Sequence, residues 1–145
     1  MTIEIDVLGQ FTTVDLAGGT GDAIRTQIDG VYDAVTNGVP TVLNAESGFL
    51  IGSASNNTLT ITGAQLDNLV FGAGTIDFAG GGTDILNLTS TSVNLNTLGA
   101  TDASVEGLEQ IISTAATAGV TIDFNGQAEG FMTVSYTHLT LPTKA

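Results

Sequence analysis

The sequence predicts a mainly β protein: a parallel β-roll or β-helix solenoid with an N-terminal β-β-α cap. Three observations carry this. Short apolar triplets are punctuated by glycine, serine and aspartate at near-regular spacing over residues 52–88. Apolar and polar residues alternate with period two in TIEIDVL (2–8), ILNL (85–88) and VTIDF (120–124), the pattern of half-buried strands. Nineteen glycines with many threonines and asparagines suit turn-rich β architecture, while 42% hydrophobic residues provide a core.

The punctuated stretch sets the element boundaries. Residues 79–87, AGGGTDILN, match the nine-residue template G-G-x-G-x-D-x-U-x, in which U is a large apolar residue, at every defining position but Ala79. Residues 52–60, GSASNNTLT, keep the shape with Ser53 and Ser55 for glycines and Asn57 for the aspartate. Residues 62–70, TGAQLDNLV, keep Gly63, Asp67 and Leu69, and GAGTID (72–77) places Asp77 one residue late. In such a unit the glycines permit a tight turn, the aspartate supplies a hard oxygen ligand, and the triplet forms a short strand with its middle side chain inward. One unit alone cannot bury that side chain, so the units must stack. Leu59, Leu69, Leu86, Ile122 and Phe124 are the expected core. The intervals between Leu59, Leu69 and Leu86 depart from a strict nine-residue register.

These turns resemble the RTX family of secreted calcium-binding repeat proteins. The resemblance implies a parallel β-roll in which calcium lies between turns of neighbouring coils. It assigns candidate metal ligands to Asp84, Asp67, Asn57 and Asp77, with Gly80 and Gly82 supplying backbone carbonyls, and makes calcium the expected cofactor. It also implies an extracellular protein exported through a C-terminal type I secretion signal, here missing from a fragment, and a structural or adhesive role toward cell-surface or matrix components. The alternative is a calcium-independent solenoid of a surface layer or fibre, with Asn and Thr ladders in place of the metal.

Residues 1–46 read as the cap. Strands are expected at 2–8 and 11–16, and one helix at about 22–37, where Ile24, Ile28, Val31 and Val35 recur at helical spacing, Thr20 or Asp22 caps the start and Gly38 and Pro40 end it. PTVLNAE (40–46) then supplies the first coil's strand. The Gly19 and Gly21 pair suggests a dinucleotide loop, but Ile24 stands where a third glycine belongs and Asp22 would repel phosphate. Residues 47–132 are the solenoid. Within it VNL (93–95) alternates like a strand. Residues 104–116 fit either a helix capped by Asp102 or a strand at 108–113, with repeat-like texture favouring the strand.

The last stretch differs. VSYTHLTLPT (134–143) holds the only histidine, one of two tyrosines and one of two prolines. It resembles a translated transposase adapter used in sequencing libraries, so 133–145 read as a non-native tail. Without it the chain has neither histidine nor cysteine, and Arg25 is the only basic residue. That removes Ser/His/Asp and Cys/His nucleophile systems and the usual zinc sites, and no enzyme is expected. Glu106 and Glu109 read as solvent-facing carboxylates rather than an acid/base pair. A net charge of −13 excludes nucleic acid and anionic membranes as partners and favours cations. No run is long and apolar enough to insert into a membrane.

Overall fold

The structure is a computed structural model that describes residues 2–5, 13–78, 80–97, 105–114, 119–122 and 132–135. These form a mainly β protein whose strand pairs are parallel. One five-stranded sheet is ordered β1 (Thr2–Ile5), β3 (Ala23–Ile28), β6 (Ser47–Gly52), β8 (Ile76–Asp77), β10 (Val105–Glu106). A second is ordered β12 (Met132–Ser135), β11 (Gln110–Ser113), β9 (Ile85–Leu88), β7 (Thr58–Ile61), β4 (Val31–Asp33). Strands β2 (Thr13–Asp15) and β5 (Thr41–Leu43) form a two-stranded parallel pair. Three short helices, α1 (Ala34–Asn37), α2 (Gly63–Leu69) and α3 (Val93–Thr97), follow β4, β7 and β9 in turn.

From β3 to β11 the chain alternates between the first and second large sheets, with α1 and β5, α2 or α3 between one crossing and the next. Residues that meet across successive visits are commonly 27 apart, as Gly30 and Asn57 are, and Asn57 and Asp84. The same interval pairs Leu59 with Leu86 and Ile61 with Leu88, and a shorter one of 25 residues pairs Leu86 with Ile111 beyond. In the other sheet Thr26, Leu50, Ile76 and Val105 fall in one row. Each row runs across strands spaced about 4.8 Å apart, so like-sized side chains stack along the interior. Leu50, Leu59, Ile61, Ile76, Leu86, Leu88 and Val105 are wholly buried. At roughly 2 kcal/mol of transfer free energy per buried aliphatic side chain, these rows are the main cohesive element.

The expected core residues Leu59, Leu69, Leu86 and Ile122 are buried; Phe124 lies outside the described residues. The nine-residue period is corrected. Within residues 62–70, Gly63–Leu69 form α2, because Thr62 and Gln65 make a reciprocal capping box at its start. Leu69 therefore sits on a helix, and Leu59 pairs with Leu86 instead of following a nine-residue step. VNL is likewise helical, since the Ser92 hydroxyl accepts from Leu95 N and thereby caps α3.

The helix expected at 22–37 is also corrected. Residues 23–28 are a strand paired with β1 and β6 on its two sides, and only Ala34–Asn37 is helical. Gly30 turns the chain with φ of 73°, a conformation that interrupts any continuous helix. The apolar spacing is compatible with either period: Ile24, Thr26 and Ile28 alternate inward as a strand, whereas Val31 and Val35 are 81% and 49% exposed. In place of a separate β-β-α unit, residues 23–33 contribute strands to both large sheets. The strand alternative for 104–116 is the one observed, as β10 and β11. Val120 makes an isolated bridge and is buried with Ile122. At the other boundary, β12 runs through Val134 and Ser135, the first residues of the adapter-like stretch, in register with Ile112 and Ser113. Period-two alternation from Met132 suits this pairing.

Candidate functional site

Four of the six candidate ligands meet at the corner that leads into the second sheet. The turns ahead of β7 and β9 are stacked 27 residues apart, as Asn57 and Asp84 show, which places Gly80 over Ser53 and Gly82 over Ser55. A Cβ on Gly80 would come within 2.7 Å of the Ser53 carbonyl oxygen, so only glycine lets the backbones approach this closely. Thr83 N donates to Asn56 Oδ1 across the same gap (2.9 Å).

Asn57 and Asp84 occupy equivalent places in the two turns and are both buried. Asn57 Oδ1 accepts from Gly30 N, one visit earlier (3.1 Å). Its Nδ2 donates toward the carbonyls of Ser53 (3.1 Å) and Ser55 (2.7 Å) in its own turn and toward Asp84 Oδ1 (2.9 Å). Asp84 Oδ1 also accepts from Asn57 N (2.7 Å). One step further, Glu109 Oε2 accepts from Asp84 N (2.6 Å). The corner is therefore a ladder in which a side-chain oxygen of each turn receives the backbone N–H of the turn before. Asp29 joins it by accepting from the Ser53 hydroxyl (2.7 Å). Asp84 Oδ2 is buried and has no hydrogen-bond partner among the described residues.

The other two candidates lie elsewhere. Asp67, on α2, accepts from Ser92 Oγ (2.5 Å), Val93 N (3.0 Å) and Asn94 N (2.9 Å), so its carboxylate is engaged at the start of α3. The residue that Asp84 meets on the neighbouring visit is Asn57 rather than Asp67. Asp77 lies in β8, in register with Ile51 and Glu106.

Whether these residues suit calcium follows from the donor set. The ion takes about six to eight oxygens. At Asn57 the amide nitrogen already occupies the centre of the turn's carbonyls, doing by hydrogen bonding what a cation would do there. At Asp84 the equivalent place is held by a carboxyl oxygen with no hydrogen-bond partner among the described residues, so of the two turns this one offers a ligand. Among the described residues no three carboxylates or imidazoles converge.

Glu109 and Asp29 belong to the corner, yet no local motif marks them as part of it, whereas Ser53 stands in a glycine position of the 52–60 unit. The signal that points to them is the long interval: Glu109 follows Asp84 by 25 residues and Asp84 follows Asn57 by 27. No known protein family, curated protein or solved structure matches the chain. Among the described residues no helix is long and apolar enough to cross a membrane.

Proposed function

We propose that this chain is a segment of a secreted, acidic β-solenoid with a structural or adhesive role, whose coils are held together by side-chain ladders and need no metal to stack. The observation that carries the reading is the Gly30, Asn57, Asp84, Glu109 ladder, which satisfies a buried or part-buried backbone N–H at each step with protein groups alone. Parallel pairing at a long, recurring interval supports the solenoid, and the absence of histidine and cysteine before residue 133 supports a non-enzymatic part. The resemblance of the glycine turns to RTX repeats supports an extracellular location, reached by a C-terminal secretion signal, and a partner on cell surfaces or in the matrix.

A second reading, weak calcium binding at the Asp84 turn, is favoured by the unpartnered Asp84 Oδ2. Asp84 would hold the ion together with carbonyls of the Gly80 to Gly82 turn, and the cation would supply the positive charge that Asn57 replaces with an amide one coil earlier. An incomplete cage of this kind gives affinities on the order of 10⁻⁴ to 10⁻³ M.

Thermal melts of the chain and its Asp84→Asn variant, in chelator and in millimolar calcium, test both. On the ladder reading the native chain unfolds cooperatively in chelator. The substitution places an amide donor where the second carboxylate oxygen stood, and one added hydrogen bond raises Tm by about 3 °C. A native chain that folds only with calcium would overturn this. On the calcium reading, calcium raises the native Tm more than magnesium does and leaves the variant unmoved; equal native melts in calcium and chelator would exclude it.

A further inference from the structure

The second large sheet carries on its outward face a groove of about 460 Å³. Its floor carries polar side chains at equivalent places on β4, β7 and β9, extended by Thr114 just past the end of β11, whose residue in register with Asn87 is Ile112. Asp33 is in register with Thr60 and Thr60 with Asn87, and Thr114 is joined to Asn87 by hydrogen bonds. Ser90, Val35, Thr62 and Thr89 complete the walls.

The protons of this row are unevenly spent. Asn87 Nδ2 donates to Thr60 Oγ1 (3.3 Å) and Thr114 Oγ1 (2.6 Å), and its Oδ1 accepts from Thr114 N (2.9 Å). Ser90 Oγ accepts from Gly63 N (2.9 Å). Thr60, Thr114 and Ser90 therefore each accept a hydrogen bond while their own O–H protons have no protein acceptor among the described residues. The groove presents three free hydroxyl donors, with the Asp33 carboxylate at one end and a half-exposed Val35 beside it.

We infer that this groove binds a neutral polyhydroxylated chain, a glycan without carboxylate or sulfate groups. An anionic ligand would meet Asp33 and a protein of net charge −13 with no basic side chain in the lining. An apolar ligand would cover the free hydroxyls without pairing them, at a desolvation cost for each. A metal ion would find a single carboxylate, itself occupied in capping α1. A sugar offers acceptors to the hydroxyls, donors to Asp33 and a C–H face to Val35. Its unit length is close to the strand spacing of about 4.8 Å, so successive sugars meet successive strands. The site goes beyond the structural role proposed above and does not depend on calcium.

The test is an amide NMR titration of the full chain, in chelator at about 0.15 M salt, with linear hexaoses of glucose, mannose and xylose and with hexagalacturonate as the charged control. At least one neutral hexaose shifts the Thr60, Asn87 and Thr114 amides saturably, and hexagalacturonate does not. Thr60→Val keeps the β-branched shape but removes the donor, weakening binding about fivefold, and Thr60→Ser restores it. Melting curves of both variants confirm that they fold. No shift with any neutral hexaose, native affinity in Thr60→Val, or equal binding of hexagalacturonate would each overturn the proposal.

Discussion

Asp33 shows how much a single carboxylate does here. It ends β4, caps α1 by accepting from Val35 N and Thr36 N, accepts a hydrogen bond from the Thr36 hydroxyl, and still faces the groove. The Thr36 side-chain bond, with the two backbone N–H bonds behind it, holds its pKa below the ordinary aspartate value of 3.8, against an opposing effect of desolvation. A folded pKa below the unfolded one means that the cap's contribution to stability is complete above pH 3.8 and is lost as pH falls through the lower folded value. A carboxyl-carbon NMR titration should give Asp33 a midpoint below that of an unfolded-state peptide, and Asp33→Asn should remove this acid-side dependence. A midpoint at or above 3.8 would contradict the capping geometry. Asn57 and Asp84 make a complementary contrast: two residues in equivalent turns differ by one nitrogen, and only the amide satisfies both ends of its side chain.

At the scale of the element, the spacing that governs pairing in the second sheet is 27 residues from β4 to β7 and from β7 to β9, rather than the nine residues of the motif. Removing residues 57–83 takes out one strand of each large sheet together with α2, and it brings Gly30 opposite Asp84 with Val31–Asp33 opposite Ile85–Asn87. The shortened chain should therefore keep a cooperative melt and a β-type circular dichroism spectrum. Removing only residues 62–70, one formal motif, deletes α2 without restoring any register and should abolish cooperative unfolding. The reverse outcome would reinstate the short period. Strands are legible in the sequence where alternation and glycine coincide, as at ILNL, and the two stacked turns are legible because 52–60 and 79–87 share one template. Helices α2 and α3 are not legible in the same way. TGAQ and STSVNL carry serine or threonine N-caps, but a strand-like reading of the leucines obscures them. The helix expected at 22–37 fails for the opposite reason: Ile24 and Ile28 satisfy both periods, and only tertiary pairing with β1 and β6 decides between them. In the candidate site, Asp84 and Asn57 are legible from the motif. Glu109 is not, because its role is fixed by stacking and by no local pattern.

For the whole molecule, charge and stacking oppose each other. Fifteen acidic residues against two basic ones repel along any compact shape, while the buried rows and corner ladders hold it together. Raising sodium chloride from about 0.01 to 0.5 M shortens the screening length from about 30 Å to roughly 4 Å and should raise Tm by several degrees, equally for sodium and potassium. An unchanged or falling Tm would mean that self-repulsion does not limit its stability. Matching ionic strength in this way also separates screening from specific calcium binding. On the stacked-coil reading, the recurring interval has a consequence for heredity. Because the interval is a whole number of residues, an in-frame duplication of its coding segment would insert one complete rung, with its ladder and core side chains already matched to both neighbours. Lineages could then lengthen or shorten the rod by recombination between the repeats, changing its reach while leaving each rung's chemistry untouched.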